Sequence, residues 1–418
     1  MKQTFALIST YSSDQFGICS ALYELGGMSI IHDASGCNST YTTHDEPRWY
    51  DMDSMVYISA LSRNETILGR DSKLIEDILD TAGKYRPKFV AIVGAPVPYM
   101  IGTDYKAIAK LVEDKLGIPS FGFDSNGMQY YTRGMRDAFK AIAERFATER
   151  TISGSKPGER PVRVNLLGVT PLDFGMTGAV GSLKKWLVDH GMVCNSCFAM
   201  GSDLTEIAKA PDADISLVVS YGGTGAAKVL KEKFGVPYVY GIPMDASVIA
   251  EKIRERAGDG AGEKTGAGGS AGMTEKIGEN SSADGSKDIV IIGEQVYSLS
   301  LAEALKDLGI KARVLCQLDR VRDSKVNEEK IEFIYTPEED DVIRETKEAD
   351  LVIADPLYGP ICGAGKLIEL PHMAFSGRMF ENDIPNLIGD GEQIYNRIMK
   401  ELKKTDEQKP APGFASET

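Results

Sequence analysis

Short, unbroken apolar runs alternate along this chain with helix-length amphipathic segments, and that alternation leaves few folds open. Phe89-Val90-Ala91-Ile92-Val93 is one such run; a Gly/Pro turn leads from it to the helical pattern Tyr105 to Leu116, closed by Gly117. A strand apolar on both faces and followed by a helix is a βα unit of a parallel sheet. A second set begins at Val164-Asn165-Leu166-Leu167-Gly168, continues through helical Ser182 to Gly191 and includes Ile215 to Val219. A third begins at Ile289 to Gly293, passes through a helix ending near Leu308-Gly309 and includes Leu351 to Ala354. The pattern predicts an α/β protein of three Rossmann-like domains, with parallel β-sheets around a central cleft.

The 418 residues, 42% of them apolar, suffice for several cores. The expected division is an N-terminal domain over 1–155, a second over 156–257, a third over 287–405 and a flexible tail over 406–418. Residues 258–286 separate the second from the third. From Gly258 to Gly285 there are nine glycines in 28 residues and almost no large apolar side chain, so burial cannot repay the entropy of ordering the segment. It reads as a linker or surface loop. No apolar run approaches the 18 or more residues of a membrane span, and Met1 to Thr4 runs straight into a strand-like segment rather than a signal peptide, which points to the cytoplasm and no membrane partner. A net charge of -14 without a basic cluster argues against a nucleic-acid surface. Six cysteines are too few for a disulfide scaffold, leaving reduced thiols or metal ligands.

The candidate chemistry centres on Ile30-Ile31-His32-Asp33-Ala34-Ser35-Gly36-Cys37. A strand that delivers a thiolate into a glycine-flanked turn is one way an α/β protein holds an iron-sulfur cluster where strands end. A lone cysteine is also, more commonly, a buried small hydrophobe. His32 and His44 flank Cys37. Cys194 and Cys197 have the two-residue spacing that grips a metal ion or forms a redox dithiol, and equally suit a strand packed in a core. Cys362, in Pro360-Ile361-Cys362-Gly363, either faces the same central space or is merely packed; Cys19 and Cys316 read as core residues. Gly222-Gly223-Thr224-Gly225 lies between a strand and a helix, where backbone amides can cradle an anion, but it completes neither a P-loop nor a dinucleotide fingerprint.

At these residues the chain resembles the component 1 proteins of nitrogenase and their relatives, which include catalytic subunits, a cofactor-assembly scaffold and the dark-operative pigment and coenzyme reductases. The likeness rests on Leu25-Gly26 through Cys37; on Ser59-Ala60-Leu61-Ser62 with Glu65 and Leu68-Gly69; on Val93-Gly94-Ala95-Pro96 with Ile101 to Asp104; on Gly122-Phe123; and on Asn165 to Gly168, Gly191 to Glu206 and Gly359 to Phe380. The resemblance implies an iron-sulfur cluster, of the four-iron type or larger, at a subunit interface. Cys37 alone stands at a matching cysteine position, since Ala95 occupies the Cys-Pro position and Thr10 to Gln15 holds no upstream cysteine.

The resemblance then makes Asp33 the first choice of supplementary ligand, though hydrogen bonding to the cluster or proton transfer suits its carboxylate equally well; Asp14 or Cys19 are other substitutes, and His32, Glu65 and Tyr99 are polar neighbours of the relay. The remaining ligands would come from a homologous component 1 type subunit, in a heterodimer or heterotetramer rather than a homodimer. Cys194, Cys197 and Cys362 are lesser metal candidates, directed at a possible additional metallocofactor. A separate ATP-dependent iron-sulfur reductase would supply low-potential electrons for an unknown substrate, as this chain has no Walker motif. The alternatives are a scaffold for metallocofactor assembly without turnover, a cluster-poor structural partner, or an unrelated anion-binding α/β enzyme. A short deletion within Gly258 to Gly285 should leave the thermal unfolding midpoint nearly unchanged; a large drop would show that the segment is packed.

Overall fold

The computed structural model describes residues 6–34, 36, 38, 41, 46–148, 150, 160–244, 248–259, 287–362, 367–375 and 384–407. Cys37, His44, residues 260–286 and residues 408–418 lie outside them. The expectations placed on Cys37 and on most of the glycine-rich segment therefore fall outside the described residues.

Three parallel sheets carry the fold. The first contains β1 (Met28–His32), β2 (Met55–Ile58), β3 (Val90–Gly94) and β4 (Ser120–Phe123), in the order β2-β1-β3-β4. The second contains β5 (Val162–Val169), β6 (Met192–Ala199), β7 (Ile215–Val218) and β8 (Tyr238–Tyr240), in the order β6-β5-β7-β8. The third contains β9 (Ile289–Ile292), β10 (Ala312–Cys316), β11 (Phe333–Tyr335), β12 (Leu351–Ala354) and β13 (Leu367–Glu369), in the order β11-β10-β9-β12-β13. Each sheet is doubly wound, so the strand order reverses once in each, between β1 and β3, β5 and β7, and β9 and β12. Outside the carboxyl ends of those strand pairs a doubly wound sheet leaves a crevice. The central strands β3, β7, β9 and β12 are buried at every position, which is why they read as continuous apolar runs.

The helices follow their sequence signals. In the first sheet's layer these are α1 (Asp14–Leu22), α2 (Arg63–Leu68), α3 (Asp71–Tyr85), α4 (Pro96–Met100), α5 (Tyr105–Leu116) and α6 (Tyr131–Phe146). Asp104 caps α5 by accepting from the Ala107 amide at 2.9 Å, and Gly117 ends it in the left-handed region, as the sequence predicts. Beyond it lie α7 (Ala179–Asp189), α8 (Thr224–Phe234), α9 (Gln295–Asp307) and α10 (Glu339–Thr346). The helix Val248–Asp259 runs through Gly258, one residue beyond the expected domain edge.

The joints between layers are made by α6 and by the N-terminal strap. Helix α6 buries Tyr131, Met135, Ala138, Phe139, Ile142 and Ala143 at helical spacing. On one side it meets α1 so closely that a β-carbon at Gly134 would overlap the Asp14 carbonyl, and one at Gly17 the Tyr131 carbonyl. On another it meets α8, where a β-carbon at Gly225 would overlap the Arg136 carbonyl. Backbone contact of this kind needs a missing side chain. The strap ahead of α1 reaches the third layer: Glu339 accepts from the Leu7 and Ile8 amides at 3.0 Å each, and the Ser12 amide donates to the Ala374 carbonyl at 2.6 Å. Residues near the start of the chain thus serve two domains. Gly134→Ala should cost about 1–3 kcal/mol by overpacking the α1–α6 contact. Urea unfolding measures it, and an unchanged midpoint would mean that the two helices separate without penalty.

Candidate functional site

The first crevice lies at the carboxyl ends of β1 and β3, where His32 stands in register with Gly94. His32 is buried, and its Nδ1 lies 2.8 Å from Ser59 Oγ. Burial pushes the imidazole below its ordinary pKa, against the opposing pull of Asp71, Asp33 and Glu65. Asp33 follows it, half-buried; its Oδ2 accepts from Asn38 Nδ2, and Asn38 Oδ1 in turn accepts from Gln15 Nε2. The Ser59 hydroxyl sits within hydrogen-bond reach of both the Asp33 amide and carbonyl, fixing the turn. Gly36, next to Cys37 in the chain, is exposed.

The other residues proposed for this site do structural work. Glu65 closes a capping box on α2, accepting from the Ser62 amide at 2.7 Å while the Ser62 hydroxyl accepts from the Glu65 amide at 3.3 Å. That backbone hydrogen bond leads the interactions that hold its carboxyl below the usual range. Asp14 is buried, with oxygens accepting from the Asn126, Gly127 and Gln15 amides at 2.8 to 3.0 Å, and burial pushes its pKa up. Ala95 is fully buried, so the Cys-Pro position of the resemblance faces the core here. Cys19 lies buried in α1 and burial pushes its thiol far up.

The remaining cysteines stand apart from this crevice in the chain's layout. Cys194 and Cys197 both lie on β6, where their Sγ atoms lie 3.5 Å from the Ser196 and Met200 carbonyl oxygens, respectively. Burial raises Cys194 to about 11 and Cys197 further, which keeps both as neutral thiols. Cys316 ends β10 and Cys362 ends the turn Gly359–Cys362, each buried. The Gly222 to Gly225 motif is buried against α6 and the end of β5, and a β-carbon at Gly223 would overlap the Leu167 carbonyl. Its glycines permit close packing, and Glu294 Oε1 already accepts the Tyr221 amide ahead of it at 2.9 Å.

Exposed apolar side chains lie on the segments that follow the strands of the first sheet. Every segment leaving the carboxyl edge of sheet one after β2, β3 or β4 contributes: Ile67 (68% exposed) and Leu68 on α2, Tyr99 and Met100 (81%) on α4, Ile101, and Met128 (65%). Exposed aliphatic and aromatic groups concentrated at one sheet edge mark a surface that another protein covers.

A second polar centre, unforeseen in the sequence, forms where the three layers meet. The Tyr131 hydroxyl, at the start of α6, donates to Asp173 Oδ1 at 2.5 Å and lies 3.1 Å from His372 Nε2. Asp173 Oδ2 is buried without a hydrogen-bond partner among the described residues. Nearby, Glu294 is fully buried, accepts from Tyr221 and Tyr297 amides, and is pushed up to about 8 by burial and by the Asp173 carboxylate. Tyr131, Asp173, Glu294 and His372 come from four distant points of the chain, and no local pattern marks them.

An iron-sulfur cluster takes about four protein ligands. Among the described residues no group of three or more His, Cys, Asp or Glu side chains is placed to hold a metal ion. At the first crevice the carboxylates that act on His32 are those of Asp33, Asp71 and Glu65, each partly exposed, and the described residues there do not make up a complete ligand set.

Three doubly wound sheets around one junction define a recognised class of α/β protein. The fold matches that of "Nitrogenase Cp1 at pH 6.5" over 98% of this chain and 96% of that one, with a TM-score of 0.66 at 15% identity. Residues 17–356 match the family of nitrogenase component 1 type oxidoreductases, and the chain belongs to that family. It is 25% identical over 215 residues to the nitrogenase iron-molybdenum cofactor biosynthesis protein NifE of Clostridium pasteurianum, a stretch covering 50% of this chain and 45% of that protein. Over 198 residues it is 25% identical to a subunit of the light-independent protochlorophyllide reductase of Prosthecochloris aestuarii, covering 46% of this chain and 35% of that protein. The chain thus matches about half or less of each of these relatives' length. Among the described residues no helix is long and apolar enough to cross a membrane.

The buried Glu294 makes a signed prediction. Its folded-state pKa, about 8, lies above the ordinary 4.5, so the stability it confers is fully present below pH 4.5 and is lost as the pH rises through about 8. Chemical unfolding across that range should show this fall, at up to about 1.4 kcal/mol per pH unit, and Glu294→Gln should flatten it. Parallel profiles for the two proteins would show that Glu294 titrates normally.

Proposed function

We propose that this chain is one subunit of a nitrogenase-like two-component reductase, paired with a homologous subunit. In this reading Cys37 and Asp33 are its share of the ligands to an interfacial iron-sulfur cluster, and the partner brings the rest. When bound, the cluster would accept and pass on single low-potential electrons supplied by an ATP-dependent iron-sulfur reductase. The observation that carries the reading is the set of exposed apolar side chains Ile67, Leu68, Tyr99, Met100 and Met128 on the segments that follow the strands of the first sheet, where no group of three described side chains is placed to hold a metal. A ligand-poor site beside surface suited to a protein partner is what half of a shared site requires.

The chain's own groups would do the supporting work. Ser59 and Asn38 hold Asp33, and the neutral, buried His32 keeps an additional positive charge away from the crevice at neutral pH. The names of the matched relatives favour two substrates of this arrangement, a cofactor precursor held for assembly or a small organic molecule reduced in place. An assembly role without turnover is the second reading, favoured by the NifE match. The two differ in outcome, since a scaffold transfers its bound cluster and a reductase turns over repeatedly with electrons.

Anaerobically isolated Cys37→Ala assembly should lose most of its iron and its paramagnetic signal, while Cys19→Ala keeps both. Unchanged iron in Cys37→Ala would remove that residue from the site. Met100→Asp with Ile67→Asp should convert the assembly to separated subunits in sedimentation velocity. An intact assembly in that double variant would place the interface elsewhere.

A further inference from the structure

We infer that the three-domain junction of this chain, as its described residues fill it, is a packed, hydrogen-bonded joint that does not fit a resident metallocofactor. The carboxyl ends of the second and third sheets converge here, and family resemblance points to this space for an additional metallocofactor. Side chains from the strap and from α6 fill it. The Tyr11 ring stacks on Phe375 with centroids 4.2 Å apart, and His372 lies 5.3 Å from Tyr11 and 6.0 Å from Tyr131. Tyr358 meets Phe375 edge-on at 5.9 Å. These separations are those of aromatic rings in direct contact, with no layer of other atoms between them.

The polar atoms at the junction are largely committed to one another. Tyr131 and His372 share Asp173 Oδ1, at 2.5 and 3.5 Å. The His372 amide donates to Asp355 Oδ2 at 2.7 Å, and the Tyr358 hydroxyl donates to Gln317 Oε1 and lies 3.3 Å from the Tyr11 hydroxyl. The cysteines of this layer are packed: Cys316 Sγ lies 3.8 Å from the Leu318 carbonyl oxygen, and Cys362 is buried at the end of the segment Gly359–Cys362. Asp173 also lines a small crevice with Phe174, Ile242, Met244 and Leu387, and that lining brings no cysteine or histidine among the described residues. Beside it, the Tyr11–Phe375 bridge and the Ser12–Ala374 hydrogen bond lace the strap across the junction.

This inference stands whether or not Cys37 holds a cluster, and its test is separate. In anaerobically isolated assembly, His372→Gln and Tyr131→Phe should each retain the wild-type iron and heterometal content and the wild-type paramagnetic spectrum, while lowering the thermal midpoint. A selective loss of metal, or an altered spectrum, in His372→Gln with Tyr131→Phe unchanged would overturn it by showing a metal ligated at the junction. Loss of metal in Cys37→Ala alone would leave it intact. An unaltered midpoint in both junction variants would also overturn it, because the joint would then contribute nothing to holding the layers together.

Discussion

Helix α6 is the element on which the rest of the molecule depends, because two other helices approach it to backbone contact. Gly17 and Gly134 remove the side chains that would hold α1 away, and Gly225 does the same for α8. Such contacts trade the conformational cost of glycine for a large, tightly packed area between layers. They lock the first sheet to the second. The first residue of α6, Tyr131, then enters the three-layer junction, so the helix that fixes the packing also fixes the buried hydroxyl bonded to Asp173.

That arrangement divides the molecule chemically. At the junction, aromatic rings and matched hydrogen bonds exclude solvent, and the cost of burying Asp173 and Glu294 is offset only in part, by backbone amides, Tyr131 and His372. At the far end of the first sheet the opposite holds. There Asp33 is partly exposed, Gly36 is open, and apolar groups are exposed on the segments that follow the strands.

The fold was legible because parallel strands buried on both faces leave uninterrupted apolar runs, as at Leu351 to Ala354, and because caps such as Asp104 and Gly117 are local. Strands β2 and β4, of similar length but only partly buried, carry no comparable signal. Local sequence also placed His32 and Asp33 correctly at a strand end. Some residues carry packing or capping work that their type alone does not announce. The Gly222 to Gly225 run has the composition of an anion cradle, and its glycines also admit close contact with α6 and the end of β5; Glu65 has the charge of a site residue, and it also caps α2. The Tyr131, Asp173, Glu294 and His372 group was invisible for a different reason. Its members lie far apart in sequence and meet only when three sheets are docked.

The central claim is that this subunit completes its metal site across an interface. Native mass spectrometry of the anaerobically isolated assembly tests it most directly. The expected result is a complex of this chain with a homologous subunit whose mass includes an iron-sulfur cluster, and release of that cluster when the subunits are separated. A monomer that retains a four-iron cluster would contradict it.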